Sequence, residues 1–192
     1  MKSLKHYYAD LHIHIGRTWT GKPVKITASN TLTLTNIIHF AREIKGLDMI
    51  GIIDCQSPEV LEEVNHFINT GKALEQDGGG IQFENGITLL VGTELEVYPP
   101  NCEGPFHILA YLPTIQAMTE FSEWVSERVT NVTLSTQRVY GSAHDLQLKV
   151  KELGGLFIPA HAFTPHKGIY GKGVRHSMTE VFSLEDKIGR AH

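Results

Sequence analysis

With only two cysteines in 192 residues, Cys55 and Cys102, the chain has no disulfide framework to staple a small fold. No apolar run approaches the ~18 residues that a membrane-spanning helix needs. The opening Met1-Lys2-Ser3-Leu4-Lys5-His6 contains no apolar signal core. Basic residues are not in excess: 17 Lys plus Arg stand against 21 Asp plus Glu, a formal charge of −4. That balance argues against a globally basic nucleic-acid binder while leaving local basic loops open. Repeats and low-complexity stretches are also missing. These absences make a cytoplasmic location, with no membrane partner, the expectation. What remains is an ordinary globular composition, 41% hydrophobic and 20% charged. Its length suits one domain, 1–192, with a core of its own.

Histidine, by contrast, is plentiful, with 11 residues. Two of them stand in Asp10-Leu11-His12-Ile13-His14. Read as a strand, this run puts Asp10, His12 and His14 on one face and Leu11, Ile13 and Ile15 on the other. Imidazoles about 7 Å apart on a strand can converge on one divalent metal. The glycine-bounded polar loop that follows, residues 16–22, suits the mouth of an active site.

Beyond this strand the chain alternates. Residues 31–45 carry Leu32, Leu34, Ile37, Ile38, Ala41 and Ile44 at helical spacing, with Gly46 as the stop. Residues 47–53 read as a buried strand ending at Asp54. Ser57-Pro58-Glu59 starts a helix reaching Asn69. Residues 76–80 (Gln-Asp-Gly-Gly-Gly) read as a flexible turn, and 87–98 as the next strand. A strand over 106–112, helices over 114–129 and 142–153, a strand over 156–160 and a long loop over 163–173 complete the pattern. Strands separated by helices predict an α/β fold with a mainly parallel sheet, whose functional side chains gather at the carboxyl ends of strands. His12, His14, Asp54, Glu94, Glu96 and His161 all fall at such ends. His107 opens its strand instead. The turn between Glu96 and Phe106 is too short for a crossover, so an antiparallel hairpin is predicted that sets His107 beside Glu94 and Glu96.

At these residues the chain resembles the polymerase-and-histidinol-phosphatase (PHP) metallohydrolase superfamily. The resemblance is carried by Asp10-Leu11-His12-Ile13-His14, Ile53-Asp54-Cys55, Gly92-Thr93-Glu94, His107 in Phe106-His107-Ile108-Leu109, and Pro159-Ala160-His161. It implies a distorted (β/α)7 barrel, divalent ions (zinc or manganese) at the strand ends, and phosphate-ester hydrolysis. By position, His12, His14 and Glu94 would hold one ion, and Glu94 would bridge to a second held by His107 and His161. Those five would form the catalytic centre, with Asp54 a further candidate ligand and Asp10 a supporting polar residue. Longer phrases, including Leu156-Phe157-Ile158-Pro159-Ala160-His161 and Thr164-Pro165-His166-Lys167-Gly168-Ile169-Tyr170-Gly171, resemble the bacillus-type DNA-repair endonuclease Q group. That group cleaves DNA on the 5′ side of deaminated bases and at abasic sites. DNA would then be the partner. Arg17, Lys22, Lys167 and Lys172 become candidate phosphate contacts, and Tyr170 or Trp19 a base-stacking ring.

Three departures qualify the resemblance. Thr20 stands where many members have a histidine, and Cys55 follows Asp54 where they have another, which speaks against a third ion. The late Asp-x-His motif is missing, since Arg190 precedes His192 by two. The expectation is therefore a barrel incomplete at the C-terminus, with an open edge able to pair with another copy. Two other functions stay open: a phosphomonoesterase of the histidinol-phosphatase kind, and a non-catalytic degenerate module.

Overall fold

The structure is a computed structural model and describes residues 5–100 and 102–182. His192, Arg190 and the first four residues, on which expectations were placed, lie outside the described residues.

Among the described residues eight strands form one sheet: β1 (Ala9–Ile13), β2 (Met49–Ile52), β3 (Ala73–Glu75), β4 (Ile81–Phe83), β5 (Thr88–Val97), β6 (Phe106–Leu112), β7 (Arg138–Val139) and β8 (Leu156–Pro159). Four α-helices accompany them among the described residues: α1 (Leu34–His39), α2 (Pro58–Asn69), α3 (Ile115–Ser126) and α4 (Ala143–Glu152). The helix starts follow the cap chemistry read in the sequence. Thr114 accepts from the Ala117 N–H and Ser142 from those of His144 and Asp145, satisfying donors that the first turn leaves free. At α2, proline occupies the first turn and Ser57 makes no side-chain cap. The segment expected as one helix over 31–45 begins later, at Leu34 behind the Thr33 cap, and widens into a π-type turn over Phe40–Ile44.

The expectation of a mainly parallel sheet needs correction. β1–β2, β2–β5 and β5–β7 pair parallel, whereas β3–β4, β4–β5, β5–β6 and β6–β8 pair antiparallel. The cause is the β5–β6 hairpin. It inserts a reversed strand between β5 and β8, and the return strand then pairs antiparallel on both sides. The β3–β4 hairpin, in a region read only as a turn, adds another reversal. β1, β2, β5 and β8 still point the same way, so their carboxyl ends and the amino end of β6 share one rim. The predicted hairpin forms, with Glu96 opposite His107 and Glu94 opposite Leu109.

Among the described residues the sheet is open, with no pairing between β1 and β8. It is nevertheless strongly curved. The Tyr111 hydroxyl on β6 donates across the concave side to the Leu11 carbonyl on β1. Gly92 makes room for that ring, because a Cβ there would lie 2.7 Å from it. The main core fills the helix-covered face, around Ile50, Ile52, Leu89, Phe106 and Phe121. A small second core of Ile53, Leu109, Tyr111 and Ala160 lines the concave side beneath the rim. No helix among the described residues is long and apolar enough to cross a membrane.

Glu63 on α2 is 1% exposed, its Oε2 lacks a hydrogen-bond partner, and burial pushes its carboxyl up to about 7. A carboxyl raised in the folded state stabilises the fold while protonated. That contribution is lost as pH rises from the ordinary range, near 4.5, through about 7. Glu63→Gln is therefore expected to gain stability over wild type at pH 8 but not at pH 4.5. Urea midpoints at the two pH values check this, and an equal difference at both would refute it.

Candidate metal centre

β1 does not alternate strictly. Asp10 pairs with Ile50 and Ile13 with Ile52, so three steps on β1 span two on β2, and a bulge re-aims the chain between them. Asp10 Oδ1 accepts the His12 N–H at 3.2 Å inside this bulge, so its role is to hold local backbone. His12 on β1 and His14 just beyond it reach the rim.

Glu94, 2% exposed on β5, is the hub. Its Oε1 lies 3.2 Å from His107 Nδ1, 3.3 Å from His12 Nε2 and 3.5 Å from His161 Nε2, and its Oε2 lies 3.4 Å from His14 Nε2. Two sets of donors result, His12–His14–Glu94 and Glu94–His107–His161, each with its atoms within 4.8 Å of one another. Ligand atoms ~2.1 Å from a tetrahedral cation stand roughly 3.4 Å apart, close to the 3.2–3.5 Å that separates the Glu94 oxygens from the imidazole nitrogens. Neutral imidazoles with one carboxylate also suit zinc or manganese chemically.

Electrostatics sharpen this arrangement. Burial opposes ionisation of Glu94, but hydrogen bonds from His107, His12 and His14 hold its carboxyl far below the usual range. Burial pushes His14 down, yet hydrogen bonds to Asp54 and Glu94 outweigh it and raise the imidazole to about 9. For His161, burial and the neighbouring His107 lower the proton affinity, which favours a neutral ring with a free lone pair.

Asp54, fully buried, belongs to neither donor set. Its Oδ2 accepts the Ile15 N–H at 2.7 Å and lies 3.1 Å from His14 Nδ1, so it orients the His14 ring. Cys55 is buried, donates to the Ile52 carbonyl and is pushed up to about 12 by burial, so it stays a thiol. Glu96 lies 3.8 Å from His107 Nε2 but is engaged by Arg138 and Lys167.

The expected phosphate contacts do not gather as free cations. Lys167 pairs with Glu96, Lys22 with Glu59 at 2.9 Å, and Arg17 with Asn30 at 2.6 Å and the Gly21 carbonyl at 2.8 Å. Lys172 is exposed on the turn over Ile169–Gly173. Tyr170 stacks on exposed Phe163 at 5.4 Å, and Trp19 leans on His66 at 5.2 Å.

Sequence reasoning missed three contributors. Ser135 Oγ lies 3.0 Å from His14 Nδ1, and Thr136 donates to Glu94 Oε2 at 2.8 Å, both from the segment leading into β7. Lys25 places its Nζ 3.3 Å from His14 Nε2. No local pattern announces them; only Glu94 and His14, far away in sequence, give them meaning.

No known family model matches the chain. It is 56% identical, over 93% of its length, to an uncharacterized protein, YqxK, of Bacillus subtilis, and spans 46% of that relative. Among solved structures it is similar to Endonuclease Q in complex with a 27-mer duplex bearing an abasic lesion at the active site. That match has a TM-score of 0.73 and 25% identity, covering 95% of this chain and 41% of that one. The lesion-specific endonuclease of Pyrococcus furiosus matches with the same score and identity over 40% of its chain. The chain thus spans less than half the length of each of these proteins. The neighbouring folds belong to nucleases, and the donor sets described above could hold divalent metal.

Proposed function

We propose that this protein is a metal-dependent phosphoesterase, and specifically a DNA endonuclease of the endonuclease Q type, cleaving 5′ to deaminated bases or at abasic sites. The observation that carries the reading is one buried carboxylate, Glu94, shared by two three-donor sets at the strand-end rim. The likeness to Endonuclease Q bound to lesion-bearing DNA supports the substrate class. His12, His14 and Glu94 would hold one ion, zinc or manganese, and Glu94, His107 and His161 a second. When bound, such ions supply Lewis-acid chemistry, acidifying water and neutralising charge on the phosphoryl group. The protein's own part is positioning. Asp54 and Ser135 fix the His14 ring from behind, Thr136 locks one Glu94 oxygen, and Glu96 gathers Lys167 and Arg138 beside His107.

The test is cleavage of end-labelled duplexes carrying a single hypoxanthine, uracil or abasic site, against undamaged duplex and an amino-alcohol phosphate monoester, with manganese or zinc. Lesion-dependent nicking that chelator removes is the expected result. Turnover of the monoester alone would move the protein to the histidinol-phosphatase kind. Stoichiometric metal with no cleavage of either, or no metal at all, would overturn the endonuclease reading in favour of a degenerate module.

A further inference from the structure

Among the described residues three cationic side chains face the carboxylates of this rim, and two already have a close carboxylate partner: Arg138 and Lys167 share Glu96. Lys25 differs. Its Nζ donates to Thr136 Oγ1 at 2.9 Å, and its one carboxylate neighbour within 4.0 Å among the described residues is Glu94, whose Oε2 sits at that limit. Glu94 is the hub of both donor sets, so once it serves cations it no longer offsets the ammonium. Lys25 then adds a positive charge to a positive centre, an arrangement that only an incoming anion relieves.

The protein holds the lysine there by construction. The Lys25 N–H donates to the Ile15 carbonyl at 2.9 Å, Val24 beside it is 1% exposed, and the Ser135 N–H donates to the Val24 carbonyl at 3.0 Å. Thr136, which receives the ammonium, has a φ of 53°, a conformation costly for a β-branched residue. Its hydroxyl accepts from Lys25 and donates to Glu94, tying the two together. The Lys25 side chain remains 28% exposed. Of its three donors one goes to Thr136 and another faces His14 Nε2 at 3.3 Å, which leaves a third for an incoming oxygen.

We propose that Lys25 is the anion anchor of this centre, its ammonium binding a non-bridging oxygen of the substrate's phosphoryl group beside the His12–His14–Glu94 cradle. The proposal rests on the phosphoesterase reading above, and the experiment separates the two. Manganese stoichiometry and orthophosphate affinity are measured by calorimetry and metal analysis on wild type, Lys25→Met and Lys25→Arg. Lys25→Met is expected to keep the wild-type manganese content and lose about tenfold or more in phosphate affinity, the size of one charge-assisted hydrogen bond. Lys25→Arg restores most of it. Phosphate affinity in Lys25→Met within twofold of wild type overturns the proposal. So does loss of manganese in Lys25→Met, which makes the residue a strut for His14 and Glu94. A wild type that takes up no manganese sinks the metallohydrolase reading itself. The anchor proposal falls with it, because a Glu94 that serves no cation still offsets the ammonium.

Discussion

Glu94→Gln is expected to lose both ions and to cut phosphoester cleavage by at least about 10³-fold, equivalent to roughly 4 kcal/mol of barrier. The reason lies in how many groups depend on this one side chain. Its two oxygens face four imidazole nitrogens between 3.2 and 3.5 Å away, and both donor sets pass through it. An amide is neutral, so it cannot offset cations. Its NH₂ would also point donors at ring nitrogens that must present lone pairs. Single imidazole losses are milder, because each removes one ligand from one set. Metal content by atomic emission, read with single-turnover cleavage, checks the prediction. Glu94→Gln protein that retains two ions per chain would remove Glu94 from the centre of the site.

Much of this arrangement was legible in the sequence, and the reason is strand polarity. Once 47–53, 87–98 and 156–160 read as strands, Asp54, Glu94 and His161 had to emerge near one rim, and the short Glu96–Phe106 connection had to bring His107 back to it. What could not be read depends on contacts between distant residues. The bulge that turns Asp10 toward the His12 backbone breaks the two-residue period without any glycine to announce it. The three-residue strands β3 and β4 carry too few side chains for a periodic signal. Ser135 reaches His14 across 121 positions of sequence, and Lys25 looks like any loop lysine until Thr136 and Glu94 are set beside it. The reversal of β6 against β8 follows from the same hairpin that the sequence suggested, yet its consequence for the sheet appears only when the neighbours are assembled.

The loop after β8 holds the second prediction of large effect. His161 has a φ of 30°, and Thr164 is what fixes it. The Thr164 N–H and hydroxyl both donate to the His161 carbonyl at 3.0 Å, and Thr164 Oγ1 stands 3.1 Å from His161 Nδ1. Gly171 presses against that same residue, for a Cβ there would lie 1.9 Å from the Thr164 carbonyl oxygen. Backbone atoms cannot yield as a flexible side-chain tip would, so Gly171→Ala must push Thr164 away and take His161 with it. The expected cost is about 1–3 kcal/mol in stability, as for other overpacking substitutions. The more telling result is selective. The His12–His14–Glu94 set lies on β1, just beyond its end and on β5, outside this loop, so metal content should fall by one ion rather than two. Gly78→Ala, where no atom lies within 4 Å of the new Cβ, serves as the matched control and should keep both ions. Gly171→Ala protein with full metal content and wild-type cleavage would show that His161 does not depend on this turn. It would also mean that the half of the centre built from Glu94, His107 and His161 is held by something other than the Thr164 contacts.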